Sequence, residues 1–98
     1  MSILAIARYK NPNHESLDLV RRIGPMFKEH GASSVVITTH VFGQHAGQFS
    51  LVTVFEDWMT YGSTMHAIFA DEELQELVKE IISAFELQER FVVIGEEI

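Results

Sequence analysis

Residues 34–56 read SVVITTHVFGQHAGQFSLVTVFE, and the fold turns on how this stretch is read. Ser34 to Phe42 and Gln48 to Glu56 are rich in β-branched and aromatic residues, which suit a pleated, half-buried surface. Between them, Gly43-Gln44-His45-Ala46-Gly47 supplies two glycines for a longer hairpin loop. The stretch therefore predicts two adjacent antiparallel strands in the middle of the chain. Upstream, Ser2 to Tyr9 reads as a strand stopped by Asn11-Pro12-Asn13, and His14 to His30 carries Leu17, Val20, Gly24 and Phe27 at helical spacing. Asn13 is the expected N-cap, and Gly31 sits where a left-handed residue would end the helix. A kink or break is expected at Gly24-Pro25, because Pro25 has no N–H for the Arg21 carbonyl. Downstream, Asp57 precedes a stripe of Trp58, Tyr61, Gly62, Met65, Ile68 and Phe69. After Asp71 a second stripe runs through Leu74, Leu77, Val78, Ile81, Ile82 and Phe85. Asp71 is a reasonable cap for this second piece, and Glu72 and Glu73 suit its first turn through the helix dipole. Arg90 to Ile94 completes the chain as a fourth strand.

This order predicts an α+β domain of ferredoxin-like βαββαβ topology, spanning residues 1–98, with both helical regions on one face of a four-stranded antiparallel sheet. Half-exposed strands should alternate apolar with polar residues. Instead Ile3-Leu4-Ala5-Ile6-Ala7, Val35-Val36-Ile37, Leu51 to Phe55 and Phe91 to Ile94 are apolar at both parities, apart from Thr53. Burial on both faces follows, and no element remains to cover the second one. A second copy of the chain is the economical cover, so a homodimer is expected. The contrary reading is that Ala5, Ala7, Ser50 and Thr53 leave one face only mildly apolar.

Fourteen Asp and Glu against seven Lys and Arg give a net charge of −7, which repels phosphate backbones and anionic lipid headgroups. Neither nucleic acid nor a membrane is an expected partner. The absence of cysteine excludes disulfides, thiolate metal sites and a cysteine nucleophile. The apolar start ends at Arg8-Tyr9-Lys10, too early for a membrane span or a signal-peptide core, which makes a cytoplasmic location the default expectation.

The element order, together with Phe55-Glu56-Asp57-Trp58-Met59-Thr60-Tyr61-Gly62, resembles the dimeric α+β barrel superfamily, nearest to NIPSNAP-like and antibiotic-biosynthesis-monooxygenase-like proteins. The likeness extends over nearly the whole chain, with Gly31-Ala32 before the second strand and glycines at 43 and 47. It implies a pocket between sheet and helices, used in relatives for cofactor-independent oxygenation of aromatic substrates, for haem breakdown or for binding. Haem-degrading relatives place an axial histidine in the second piece of the second helix, and no histidine lies between Asp71 and Phe85 here. Of the oxygenase residue types, Trp58, Tyr61, Tyr9 and Arg8 are present, and Trp58 matches a family motif.

Among the residues themselves, His66 lies beside Gly62 and Met59 on a helical projection. There its imidazole is placed to face a cavity that Gly62 leaves unfilled and to move protons near neutral pH, making it the candidate catalytic group. The plainer reading is a boundary histidine bonded to a backbone carbonyl. Trp58, Tyr61, Gly62 and Met65 are candidate ligand-binding residues, although aromatic and Met side chains at this spacing also make ordinary core. Arg8 and Tyr9 are placed to hold a carbonyl or carboxylate head group. His40, near the end of the second strand, is a further candidate at a pocket mouth. His40 and His45 lack a carboxylate at ligand spacing, so no metal is expected, and no cofactor is implied. His14 and His30 are expected to be solvated. No Ser-His-Asp order, phosphate loop or dinucleotide fingerprint appears. Three functions from different classes follow: a homodimer binding a small, largely apolar acyl or aromatic molecule, a cofactor-independent monooxygenase acting on a quinol or phenol, and a purely structural dimerisation module.

Overall fold

A computed structural model describes residues 1–98. The elements run β1 (Ser2–Lys10), α1 (Asp18–Arg21), α2 (Ile23–His30), β2 (Ser34–Thr39), β3 (Phe49–Phe55), α3 (Trp58–Ala70), α4 (Glu72–Ala84) and β4 (Glu86–Gly95). The sheet is wholly antiparallel in the order β2-β3-β1-β4, which confirms the ferredoxin-like α+β topology.

Several boundaries differ from the sequence reading, each for a local reason. The first helix begins at Asp18 rather than beside Asn13. Asn11 accepts from the backbone N–H of Glu15 and donates to its carbonyl, which folds residues 11–15 into a turn that delays the helix. His14 stands in that turn with φ 51°. The expected break falls at Arg22, just before Gly24-Pro25, so Pro25 enters the first turn of α2, where a missing N–H leaves no bond unmade. Strand β2 stops at Thr39 rather than Phe42. β4 starts at Glu86 rather than Arg90, because the mostly polar run Glu86-Leu87-Gln88-Glu89 still pairs with β1 through an irregularity opposite Arg8 and Tyr9.

The caps at Asp57 and Asp71 form as side-chain bonds to the N–H groups of Thr60 at 2.7 Å and Leu74 at 3.0 Å. Gly31 closes α2 at φ 130°. A Cβ there would collide with the Thr64 hydroxyl oxygen, so the turn and α3 approach closely only because residue 31 is glycine. Thr64 is fully buried and donates to the His30 carbonyl at 2.9 Å, tying the two helices together. His30, expected to be solvated, is half-buried, and its Nε2 lies 2.8 Å from an Asp71 carboxylate oxygen.

All helices lie on one face of the sheet. That face carries Ile3, Ala5, Ala7 and Tyr9 of β1, Phe49, Leu51, Thr53 and Phe55 of β3, and Val35 and Ile37 of β2, which pair across the strands in register. The core forms where these residues meet Val20, Ile23, Ile68, Leu74, Leu77, Ile81 and Phe85. The other face has nothing packed on it, and the molecule is a two-layer slab of 38 × 36 × 18 Å. Leu4, Ile6, Val36, Val52, Val54, Phe91 and Val93 share the open face, with Val36, Phe91 and Val93 each about two-fifths exposed. The two-sided apolar pattern of the strands therefore leaves a continuous apolar surface uncovered.

Candidate functional site

Between the sheet and α2, α3 and α4 lies a cavity of about 470 Å³. Its cause is a size pattern along β1. On the helix-facing side Ile3 and Tyr9 are bulky, while Ala5 and Ala7 between them are small and oppose Thr53 and Leu51 on β3 and Val92 and Arg90 on β4. The helices rest on the large residues at the two ends and leave space above the alanines. The walls are mostly apolar, with Ile23 and Phe27 from α2, Met65 and Ile68 from α3, and Val78 and Ile81 from α4. Phe69, Ile82 and Leu87 also line it and are well exposed, which puts the mouth beside the edge strand β4. Polar groups on the wall come from Tyr9, Thr53, Tyr61, Gln75 and Arg90. Gln75 is engaged, donating to the Ile68 carbonyl at 2.9 Å.

Tyr9 is held by stacking on Phe49 with ring centres 5.3 Å apart, and Phe49 in turn meets Phe85 edge-on at 5.1 Å. Burial pushes the Tyr9 phenol above its ordinary pKa, and the Arg90 charge pulls partly the other way. Tyr61 reaches the cavity from the first turn of α3, with its ring edge-on to both Phe55 and Trp58.

Of the residues singled out from the sequence, Tyr9, Tyr61 and Met65 line this cavity and the others do not. The placement of His66 in a void left by Gly62 is corrected: both are exposed, on the outer side of α3, and a Cβ at Gly62 would meet nothing. The inward line of α3 is Tyr61, Thr64, Met65 and Ile68, so the true phase is rotated from the one expected. Trp58 is half exposed and supports Tyr61 from outside. Arg8 and His40 sit on the open face of the sheet. There Arg8 pairs with Glu89 at 3.1 Å and bonds the Gln48 side chain, and His40 Nε2 lies 2.8 Å from the Ser50 hydroxyl. Arg8, Glu89, His40 and Ser50, with Thr38 and His45, rim a second, smaller hollow of about 260 Å³ at the polar end of that face. The expected pairing of Arg8 with Tyr9 at one head group does not arise, because neighbours on a strand point to opposite faces. Ala5, Ala7 and Arg90 are the site residues that sequence reasoning missed. The run of two alanines in an otherwise bulky strand was the available signal.

No three His, Asp or Glu side chains gather into a group able to hold a metal ion, and no helix is long and apolar enough to cross a membrane.

A family model described as a domain of unknown function, DUF6854, matches residues 2–93. No curated protein matches the sequence. Solved structures with a similar fold include SnoaB, a cofactor-independent oxygenase from Streptomyces nogalater solved as a mutant, with TM-score 0.72 and 9% identity over 99% of this chain and 95% of that one. A NIPSNAP family protein from Agrobacterium tumefaciens gives TM-score 0.73 and 14% identity over 99% and 95%. A candidate antibiotic biosynthesis monooxygenase from Bordetella bronchiseptica gives 0.69 and 17% over 99% and 97%. The expected likeness to NIPSNAP-like and monooxygenase-like proteins is therefore confirmed at the level of the fold.

Proposed function

The chain belongs to the DUF6854 family of domains of unknown function, and on that footing we propose that it works as a homodimer whose subunits each bind a small, largely apolar molecule in the sheet–helix cavity. The cavity above Ala5 and Ala7 carries the reading. Its volume of about 470 Å³ lies within the range of ligand pockets, and apolar walls with a few polar groups are the common make-up of such sites. An acyl chain or an aromatic ring system suits walls of this kind. The dimer is supported by the open sheet face, where seven apolar side chains stand together. An exposed surface of this kind is an aggregation hazard unless it is covered. Pairing through it leaves the cavity, on the opposite side of the sheet, free to be entered.

A second reading is cofactor-independent oxygenation of a quinol or phenolic substrate. The fold shared with SnoaB and the two phenols on the cavity wall, Tyr9 and Tyr61, favour it. His66 is no part of it, since the wall holds no histidine.

Native mass spectrometry of the purified protein tests the main reading. The expected spectrum shows two chains carrying retained or added apolar small molecules. A monomer at micromolar concentration would refute the dimer, and failure to take up decanol would refute the cavity's binding role and leave a structural module. Oxygen uptake with a panel of hydroquinones separates the second reading, and a flat trace across the panel removes it.

A further inference from the structure

We propose that the cavity's ligand bears one carboxylate, which seats against Arg90 at the mouth; this rests on the binding function proposed above. Arg90 is the only charged residue on the cavity wall. It stands opposite Ala7 on the helix-facing side of the β1–β4 pair, directly over the floor of small residues. In a chain with fourteen acids and seven basic residues, an arginine is expected to find a carboxylate. Arg8, Arg21, Lys79 and His30 do so; Arg90, like Lys10, Arg22 and Lys28, has no ion pair, and of these four it alone lies on the cavity wall.

The reason is the alternation of β4. Glu89, its neighbour in sequence, points to the open face and is taken by Arg8, and Glu86 pairs in register with Lys10. The acids of the strand are thus sorted away from the cavity, and the one cation is left facing it. Arg90 is exposed at the mouth, where its charge is open to solvent, and a guanidinium there can still hold a carboxylate by two parallel N–H bonds while the ligand's tail lies against the apolar wall. The field of Arg90 also reaches the Tyr9 phenol farther along β1, so both polar groups act on the same end of the cavity. One cation in a molecule of net charge −7 suits a singly charged group and disfavours a phosphate dianion. At roughly 30 Å³ per water-sized group, the cavity takes on the order of fifteen heavy atoms, the size of a medium-length fatty acid or a bicyclic aromatic acid.

Isothermal titration at low ionic strength and neutral pH, with decanoate and decanol as probes of equal tail length, decides the matter. Decanoate is expected to bind about ten- to a hundredfold more tightly, the worth of a hydrogen-bonded charge pair. Arg90→Gln should bring the ratio of the two affinities close to one, and Arg90→Lys should leave it intermediate, with circular dichroism showing the parent fold in both. Equal affinities in the parent protein, or a preference for decanoate that survives Arg90→Gln, would overturn the carboxylate inference while leaving the cavity's binding role intact. If neither probe binds, the proposed binding function falls, and the inference with it.

Discussion

Replacing Val52 with aspartate puts a charge at the centre of the open sheet face. Val52 lies between Val36 on β2 and Ile6 on β1, and Ile6 is followed across the sheet by Phe91 on β4. The next row toward one end, Val54, Leu4 and Val93, is apolar as well. The cation nearest in the other direction, Arg8, is already paired with Glu89. In the monomer the introduced carboxylate would stand in water, and the flanking residues on β3, Leu51 and Thr53, would keep their places in the helix-side layer, so little loss of fold is expected. In a dimer closed through this face the carboxylate is buried without a partner, at about 3–5 kcal/mol. A twofold interface contains the change twice, so the dimer loses roughly 6–10 kcal/mol, or about four to seven powers of ten in its dissociation constant. A nanomolar dimer would thus be monomeric at micromolar concentration. Sedimentation equilibrium should show the parent at twice the chain mass and V52D at the chain mass, with similar far-ultraviolet circular dichroism. A V52D protein that still sediments as a dimer would show that the copies do not meet through this face.

Two further outcomes concern the joint between α2, α3 and α4. Gly31→Ala forces a side chain into φ 130° and drives its Cβ against the Thr64 hydroxyl, displacing that group from the His30 carbonyl. Together the strain and the lost buried bond should cost about 2–5 kcal/mol in urea unfolding. In a Thr64→Ala background the same change should cost less, since only the backbone strain remains; an equal cost in both backgrounds would contradict the proposed clash. The second outcome is a pH dependence. The side-chain bond to His30, followed by the Leu74 N–H, holds the Asp71 carboxyl below its ordinary pKa. A lowered folded pKa means that the unfolded chain takes up the proton first. Stability from this group is therefore complete above about pH 4 and is lost as pH falls through the folded value. Asp71→Asn should narrow its stability gap from the parent as unfolding is followed from about pH 5 down to acid, and a gap constant with pH would count against the linkage.

Local chemistry was enough to read the order and type of the elements. The glycine-bearing loop between two β-rich runs, the Asp57 and Asp71 caps, the break before Pro25 and the strands apolar at both parities all act within a few residues of where they are written. The last of these also announced the uncovered sheet face. The boundaries were less legible, because Asn11 closes a turn on Glu15 and the mostly polar residues 86–89 are held as strand by β1, a partner far away in sequence.

The site was the part that only the tertiary structure decided. Helix α3 carries apolar or aromatic residues on nearly every side, from Trp58 and Met59 to Ile68 and Phe69, so its pattern does not say which side faces the sheet. Packing chose Tyr61, Thr64, Met65 and Ile68, because Thr64 fits the turn at Gly31, and this turned Gly62 and His66 outward. Where the void opens depends on what stands opposite what across strands β3, β1 and β4, and so does which of the neighbours Glu89 and Arg90 faces it. Strand register is a long-range property, so Ala5, Ala7 and Arg90 become a site only once the sheet has formed.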